Sequence, residues 1–189
     1  MTLILDAGDG EEQDRIETSH QVMANASSFF KVIAEGGFAE SVTLRTEGKL
    51  ELPLPDTNVA AMQVLCDIFH LRSQHVPTGD ITSDMLYEIA VLVDRFDCAS
   101  AIQPWAELWR TQSKIEIELR NLEDMDLGQV AKGILISSQL GYTIPFERLT
   151  SGLIDRAQLD DFDCEPLCQY FNMLAPHIQG MYLGIPKQG

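Results

Sequence analysis

The sequence predicts an α+β protein, with a small β-sheet packed on a helical cluster and an all-helical segment after it. Three observations carry this. Short runs of β-formers bounded by turn residues fall only near the start of the chain. Apolar residues at three- and four-residue spacing dominate between and after them. Beyond about residue 122 the pattern is helical only.

Residues 2–5 form an apolar β-former run, Ala7-Gly8-Asp9-Gly10 is a turn cluster, and Arg15-Ile16-Glu17-Thr18 alternates. Together they predict a hairpin with an acidic loop. Ser19 suits an N-cap for a helix carrying His20, Met23 and Ala24. Ser27 or Ser28 then starts a second helix with an apolar face of Phe29, Phe30, Ile33 and Ala34, ended by Gly36-Gly37. Residues 42–45 and 50–54 flank Thr46-Glu47-Gly48-Lys49, which predicts a second hairpin whose last strand is limited by Pro53 and Pro55.

Asp56 and Thr57 are the expected caps of a central helix with the stripe Val59, Met62, Val64, Leu65, Ile68, Phe69 and Leu71. After the loop around Pro77, Thr82 or Ser83 caps a helix lined by Met85, Leu86, Ile89, Ala90, Leu92, Val93 and Phe96. Residues 98–102 read as a short helical turn. Pro104 then suits the first turn of a new helix carrying Trp105, Leu108 and Trp109 and continuing to Leu119. Three more helices are expected: Leu127–Leu140 stopped by Gly141, one over 143–157 with Pro145 in its first turn, and one over 164–175 capped by Asp163. The order is ββ-αα-ββ-α-α-α, then three helices.

The 189 residues are 45% apolar and 22% charged, enough to bury a real core. Thirteen Lys and Arg face 29 Asp and Glu, for a net charge of −16. That charge argues against phosphate-backbone binding and against docking to anionic lipid. No apolar run is long enough to span a bilayer, and the opening residues lack the basic start of a secretory signal. Cys66, Cys98, Cys164 and Cys168 read as reduced, mostly buried thiols, which implies a cytosolic or nuclear home.

No catalytic, cofactor-binding or metal site is expected. Gly8-Asp9-Gly10 is too acidic for a phosphate loop, and Ser151-Gly152 lacks the rest of a nucleophile elbow. Asp94 and Asp97 read as a solvated helix edge with Arg95 between them. Asp160-Asp161-Phe162-Asp163 lacks the Gly and Glu of a calcium loop and reads as a capping linker. His20 and His70 lie on apolar faces and read as hydrogen-bonded structural residues. Trp105 and Trp109 read mainly as core, with a partner groove as the other use of such a pair.

Several segments, in order, resemble the BTB/POZ family, over roughly residues 1–112. They are Ser19-His20-Gln21-Val22-Met23-Ala24-Asn25-Ala26-Ser27-Ser28-Phe29-Phe30; Phe38-Ala39-Glu40; and Leu52-Pro53-Leu54-Pro55-Asp56-Thr57 followed by Ala61-Met62-Gln63-Val64-Leu65. Ile68-Phe69-His70-Leu71-Arg72, the stretch from Leu86 to Cys98, and Pro104-Trp105 with Trp109 resemble the branch abundant in filamentous fungi. Gln21 stands where dimeric transcription-factor members have a basic residue after the His, and Ser28 replaces a common Pro.

The resemblance implies a BTB/POZ-like domain over 1–112, with 113–189 as a helical C-terminal extension. It implies a non-enzymatic scaffold for protein contacts, with a partner surface on the helices over 58–72 and 82–96. Partners would be proteins, a cullin scaffold or a second copy, in ubiquitin-ligase or transcriptional complexes; no nucleic acid, membrane or small-molecule substrate is expected. A purely architectural homo-oligomer is the second reading. A small hydrolase or metal protein, with zinc on Cys164 and Cys168, is the remote one.

Overall fold

In the computed structural model, which describes residues 1–6, 13–79, 81–112 and 125–159, the first strand lies in the middle of the sheet. Strand β1 (Thr2–Asp6) pairs antiparallel with β2 (Gln13–Glu17) and parallel with β3 (Glu51–Leu54). Leu3 stands opposite Ile16 and Leu52, and Leu5 opposite Leu54 and the exposed Asp14, so one face of the sheet is apolar except at Asp14 on the outer strand. On the other face Ile4 lies between Arg15 and Pro53 and is itself buried. An ion pair from Arg15 to Glu51 joins the two outer strands.

The segment over 39–47 corrects the second expected hairpin. Residues 42–45 lie inside a helix, α3 (Ala39–Glu47), and only β3 is a strand. The β-branched Val42 and Thr43 suggested a strand, but burial follows the helical period: Ser41 and Leu44 are inside, Val42 and Arg45 outside. Gly48 is not a hairpin turn. It takes φ 68° as the left-handed C-cap of α3 and donates its N–H to Leu44 O.

The other helices are α1 (His20–Ala26), α2 (Ser28–Glu35), α4 (Val59–Phe69), α5 (Ser83–Phe96), α6 (Ala99–Gln112), α7 (Leu127–Leu140) and α8 (Thr143–Leu159). Asn58, rather than Asp56 or Thr57, caps α4, its Oδ1 accepting from Ala61 N–H at 3.0 Å. Helix α6 runs unbroken from Ala99, so Pro104 lies within it instead of opening a new helix. Its expected continuation to Leu119, and the helix expected over 164–175, lie outside the described residues.

One core serves the sheet and the helices alike. Leu3, Leu5, Met23, Phe30, Met62, Leu65, Leu86 and Phe96 are buried together with Trp109, Val130, Ile134 and Leu149. Helix α7 lies along α5 and pairs with α8, so the start of the C-terminal extension is part of the same packing. Tyr142 donates its hydroxyl to Ala106 O at 2.8 Å, and Gln139 donates to Asp94 Oδ1 at 2.8 Å. Among the described residues, no helix is long and apolar enough to cross a membrane.

Candidate protein-contact surface

The residues with functional potential are held by two polar junctions. At the first, Ser27 is buried between α1 and α2. Its hydroxyl donates to Phe96 O at 2.5 Å and accepts from Phe30 N–H at 3.2 Å. Ser28 bonds the Asp97 carboxylate through its hydroxyl and Asp97 O through its N–H at 3.4 Å. Asp97 ends α5 with φ 46°, a left-handed conformation that Asp tolerates better than most residues. Phe29, Phe30 and Phe96 pack beneath, with ring centroids 5.0–5.2 Å apart.

The second junction is at His70. Its Nδ1 lies 2.8 Å from Cys66 O, and its Nε2 accepts from Ser19 N–H at 3.0 Å. A carbonyl can only accept and an amide N–H can only donate, so the ring is the neutral Nδ1–H form. His70 is thus hydrogen-bonded to the backbone through both ring nitrogens. Ser19 sits at the N-cap position of α1, but its side chain makes no cap bond there. His20 is half-buried.

The other expectations sort as follows. Trp109 is fully buried and donates from Nε1 to Pro77 O at 2.8 Å, whereas Trp105 packs half-buried beside it. Asp94 and Asp97 are exposed, each with its own polar partner; Arg95 donates to Pro55 O and Thr57 Oγ1 at 2.9 and 3.0 Å. Cys66 and Cys98 are free and buried, and burial pushes both thiols up to about 12. Cys164, Cys168, Gly8-Asp9-Gly10 and the acidic run over 160–163 lie outside the described residues. Among the described residues, no three His, Cys, Asp or Glu side chains group as metal ligands.

Of the two helices expected to form the partner surface, α4 is mostly core and α5 is buried along one stripe. In α4 everything from Ala61 to Phe69 except Gln63 is buried, and in α5 the apolar stripe faces α4, α6 and α7. Exposed apolar area lies elsewhere. Val32 on α2 is 50% exposed, Phe38 at the N-cap of α3 is 59% exposed, and Val42 one turn on is 45% exposed. Gly36 lies between the first two, and a Cβ there would come within 2.5 Å of Val32 O and 3.1 Å of the Phe38 ring. Gly36 is thus required for space, at an ordinary φ of −72°.

Sequence reading missed this corner because it followed the stripes that face the core. Val32 lies off the Phe29-Phe30-Ile33 stripe of α2, and Val42 lies off the Ser41-Leu44 side of α3. Apolar residues left over from a core-facing stripe were the available signal. A polar cleft of about 420 Å³ between the α1–α2 and α5–α6 turns, lined by Asn25, Ser28, Lys31, Glu35, Asp97 and Ser100, is a further surface feature of the described residues. There the Asp97 carboxylate is already engaged by Ser28. No protein-family model matches the chain, and no curated protein matches it.

Proposed function

We propose that this protein is a non-enzymatic protein–protein interaction module of the BTB/POZ type, serving as an adaptor or scaffold in ubiquitin-ligase or transcriptional complexes. The exposed corner of Val32, Phe38 and Val42 carries the reading. Exposed apolar side chains gathered on two packed helices are candidates for a contact surface. Here they stand on α2, tied to α5 by the Ser27–Phe96 junction, and on α3, which packs against α2. Large aromatics are favoured anchors at such surfaces. The order of the sequence segments, with Phe38-Ala39-Glu40 on the corner itself, supports the family assignment.

Affinity capture with the wild-type chain and with Phe38→Ser, scored for cullin and co-repressor subunits, tests it. Recovery with the wild type and loss with the variant is the expected result. Equal recovery with both, or recovery of neither class, refutes it.

A further inference from the structure

We propose that the outer edge of β2 takes up a basic, extended segment of another protein as a fourth, antiparallel strand of the sheet. The proposal does not rest on the α2–α3 corner and stands or falls separately from it.

The register fixes which backbone groups are open. The Met1 amine donates to Thr18 O and the Thr18 N–H donates to Met1 O, both at 2.9 Å, so these two residues form a hydrogen-bonded antiparallel pair. Such pairs recur every second residue, so Ile16 and Asp14 also turn their N–H and C=O groups toward β1. Arg15 and Glu17 therefore turn theirs outward, on the side where no described strand pairs with β2. Both residues are exposed.

The opposite edge of the sheet is closed by sequence. Thr2 N–H donates to Leu50 O at 2.8 Å, so Leu52 and Leu54 face β1, and Glu51 and Pro53 turn outward. Pro53 has no N–H to give, and Pro55 follows at the strand end. One edge is thus blunted, while the other keeps its donors and acceptors at Arg15 and Glu17.

The side chains along β2 select the occupant. A strand laid on this edge meets Asp14 and Ile16 on the core-facing side and Arg15 and Glu17 on the other. Arg15 is already engaged with Glu51. Asp14 and Glu17 take part in no ion pair among the described residues. Ile16 is buried, so the position beside it favours an apolar neighbour. An antiparallel partner therefore reads basic, apolar, neutral, basic opposite Glu17, Ile16, Arg15 and Asp14. The sequence joining β1 to β2 adds Asp9, Glu11 and Glu12 and no base. A second copy would bring that acidic set against its own, whereas a basic strand is drawn to it.

Amide NMR of the full chain tests the proposal, with the peptide acetyl-Thr-Lys-Val-Thr-Lys-Thr-amide as probe. In the chain alone, the Arg15 and Glu17 amides should exchange fast with solvent, and the Ile16 and Thr18 amides slowly. The peptide should shift and protect Arg15 and Glu17. N-methylation of the peptide at the Lys opposite Glu17 and the Thr opposite Arg15 keeps both charges and removes two donors. It should weaken binding by about tenfold or more. Arg15→Pro should weaken binding similarly, whereas Arg15→Ala, which keeps the N–H, should bind at least as tightly as the wild type. Circular dichroism checks that both variants fold, and the N-methylated peptide needs no variant at all. Asp14→Lys with Glu17→Lys should lose this peptide and take its counterpart with Glu in place of Lys. Arg15 and Glu17 amides already protected in the chain alone would show the edge covered by the chain itself or by a second copy, and would overturn the proposal. So would amides that do not respond to the peptide, or binding that N-methylation leaves unchanged, which would reduce it to charge attraction.

Discussion

The backbone N–H of Ser19 donates to Nε2 of His70 at 3.0 Å, tying the start of α1 to the end of α4 across 51 residues. The same ring donates from Nδ1 to Cys66 O. His70→Phe keeps the ring volume and loses both bonds, leaving a half-buried donor and a helix-end carbonyl without this partner. Stability to urea should fall by about 1–3 kcal/mol. The nitrogen shifts of the His70 ring provide a direct check: Nδ1 should be the protonated, pyrrole-like nitrogen and Nε2 the pyridine-like one. The opposite tautomer would contradict the arrangement.

How much of this was legible in the sequence depends on what each residue has to face. Ile16, Leu52 and Leu54 alternate with polar or proline positions, and Leu86, Ile89, Val93 and Phe96 recur at helical spacing, because each set faces one core. Val42 and Thr43 misled because β propensity reflects a side chain's surroundings, and α3 leaves them at its surface. Pro104 was misplaced because a local rule about first turns does not see the packing of Ile102, Ala106 and Trp109 that keeps α6 continuous. The corner was illegible for a different reason. Exposure of Phe38 depends on how α2 and α3 meet at Gly36, a tertiary fact with no local pattern.

Ser27 is a cap whose removal affects two helices. Its hydroxyl serves Phe30 N–H at the start of α2 and Phe96 O at the end of α5. Ser27→Ala should cost about 1–2 kcal/mol in urea unfolding. Ser28→Ala, at an exposed position where the Asp97 carboxylate can turn to water, should cost less. Equal losses at the two positions would show that burial of the cap is not what matters.

Stability should fall on the alkaline side. Burial is the main cause that raises Cys66 and Cys98 to about 12; Arg72 works against it at Cys66, while Asp67 adds to it there and Asp97 adds to it at Cys98. An exposed thiol ionises near 9.0. The folded values lie above the unfolded one, so this contribution is full below about pH 9 and is lost as pH rises toward 12. Each thiol should remove about 1.4 kcal/mol per pH unit in that window. Tyr142, raised chiefly by burial, adds to the slope at higher pH. Urea midpoints should be flat from neutrality to about pH 8 and drop beyond 9, with a shallower drop in Cys66→Ala with Cys98→Ala. A flat profile through that window would rule the burial argument out.

Cutting the chain after residue 112 should not release an intact domain. Helix α7 buries Val130, Ala131, Ile134 and Leu135 in the same core as α5, and the Tyr142 hydroxyl serves Ala106 O. Removing α7 and α8 exposes the α5 side chains they cover and removes that bond. The shortened chain should bind a hydrophobic dye and melt at lower temperature and with less cooperativity than the full chain. A sharp, unshifted melt without dye binding would mean that residues 1–112 fold independently of the extension.

Leu71 should be replaceable with a gain in stability. It holds φ 58° and is 87% exposed, so a branched apolar side chain sits in a left-handed conformation and buries little. The turn is held from both sides: Leu71 N–H bonds Ile68 O at 3.0 Å, and Arg72 N–H bonds Asp67 O at 2.8 Å while its Nε lies 2.7 Å from the Asp67 carboxylate. Left-handed backbone costs a non-glycine residue roughly 1–2 kcal/mol. Glycine relieves that strain but loses about 0.5–1 kcal/mol through the greater freedom of the unfolded chain. Leu71→Gly should therefore raise stability by up to about 1 kcal/mol, whereas Leu71→Val, β-branched at a positive φ, should lower it. Urea unfolding of the two variants decides the matter, and a destabilised glycine variant would mean that the Leu71 side chain makes a stabilising contact despite its exposure.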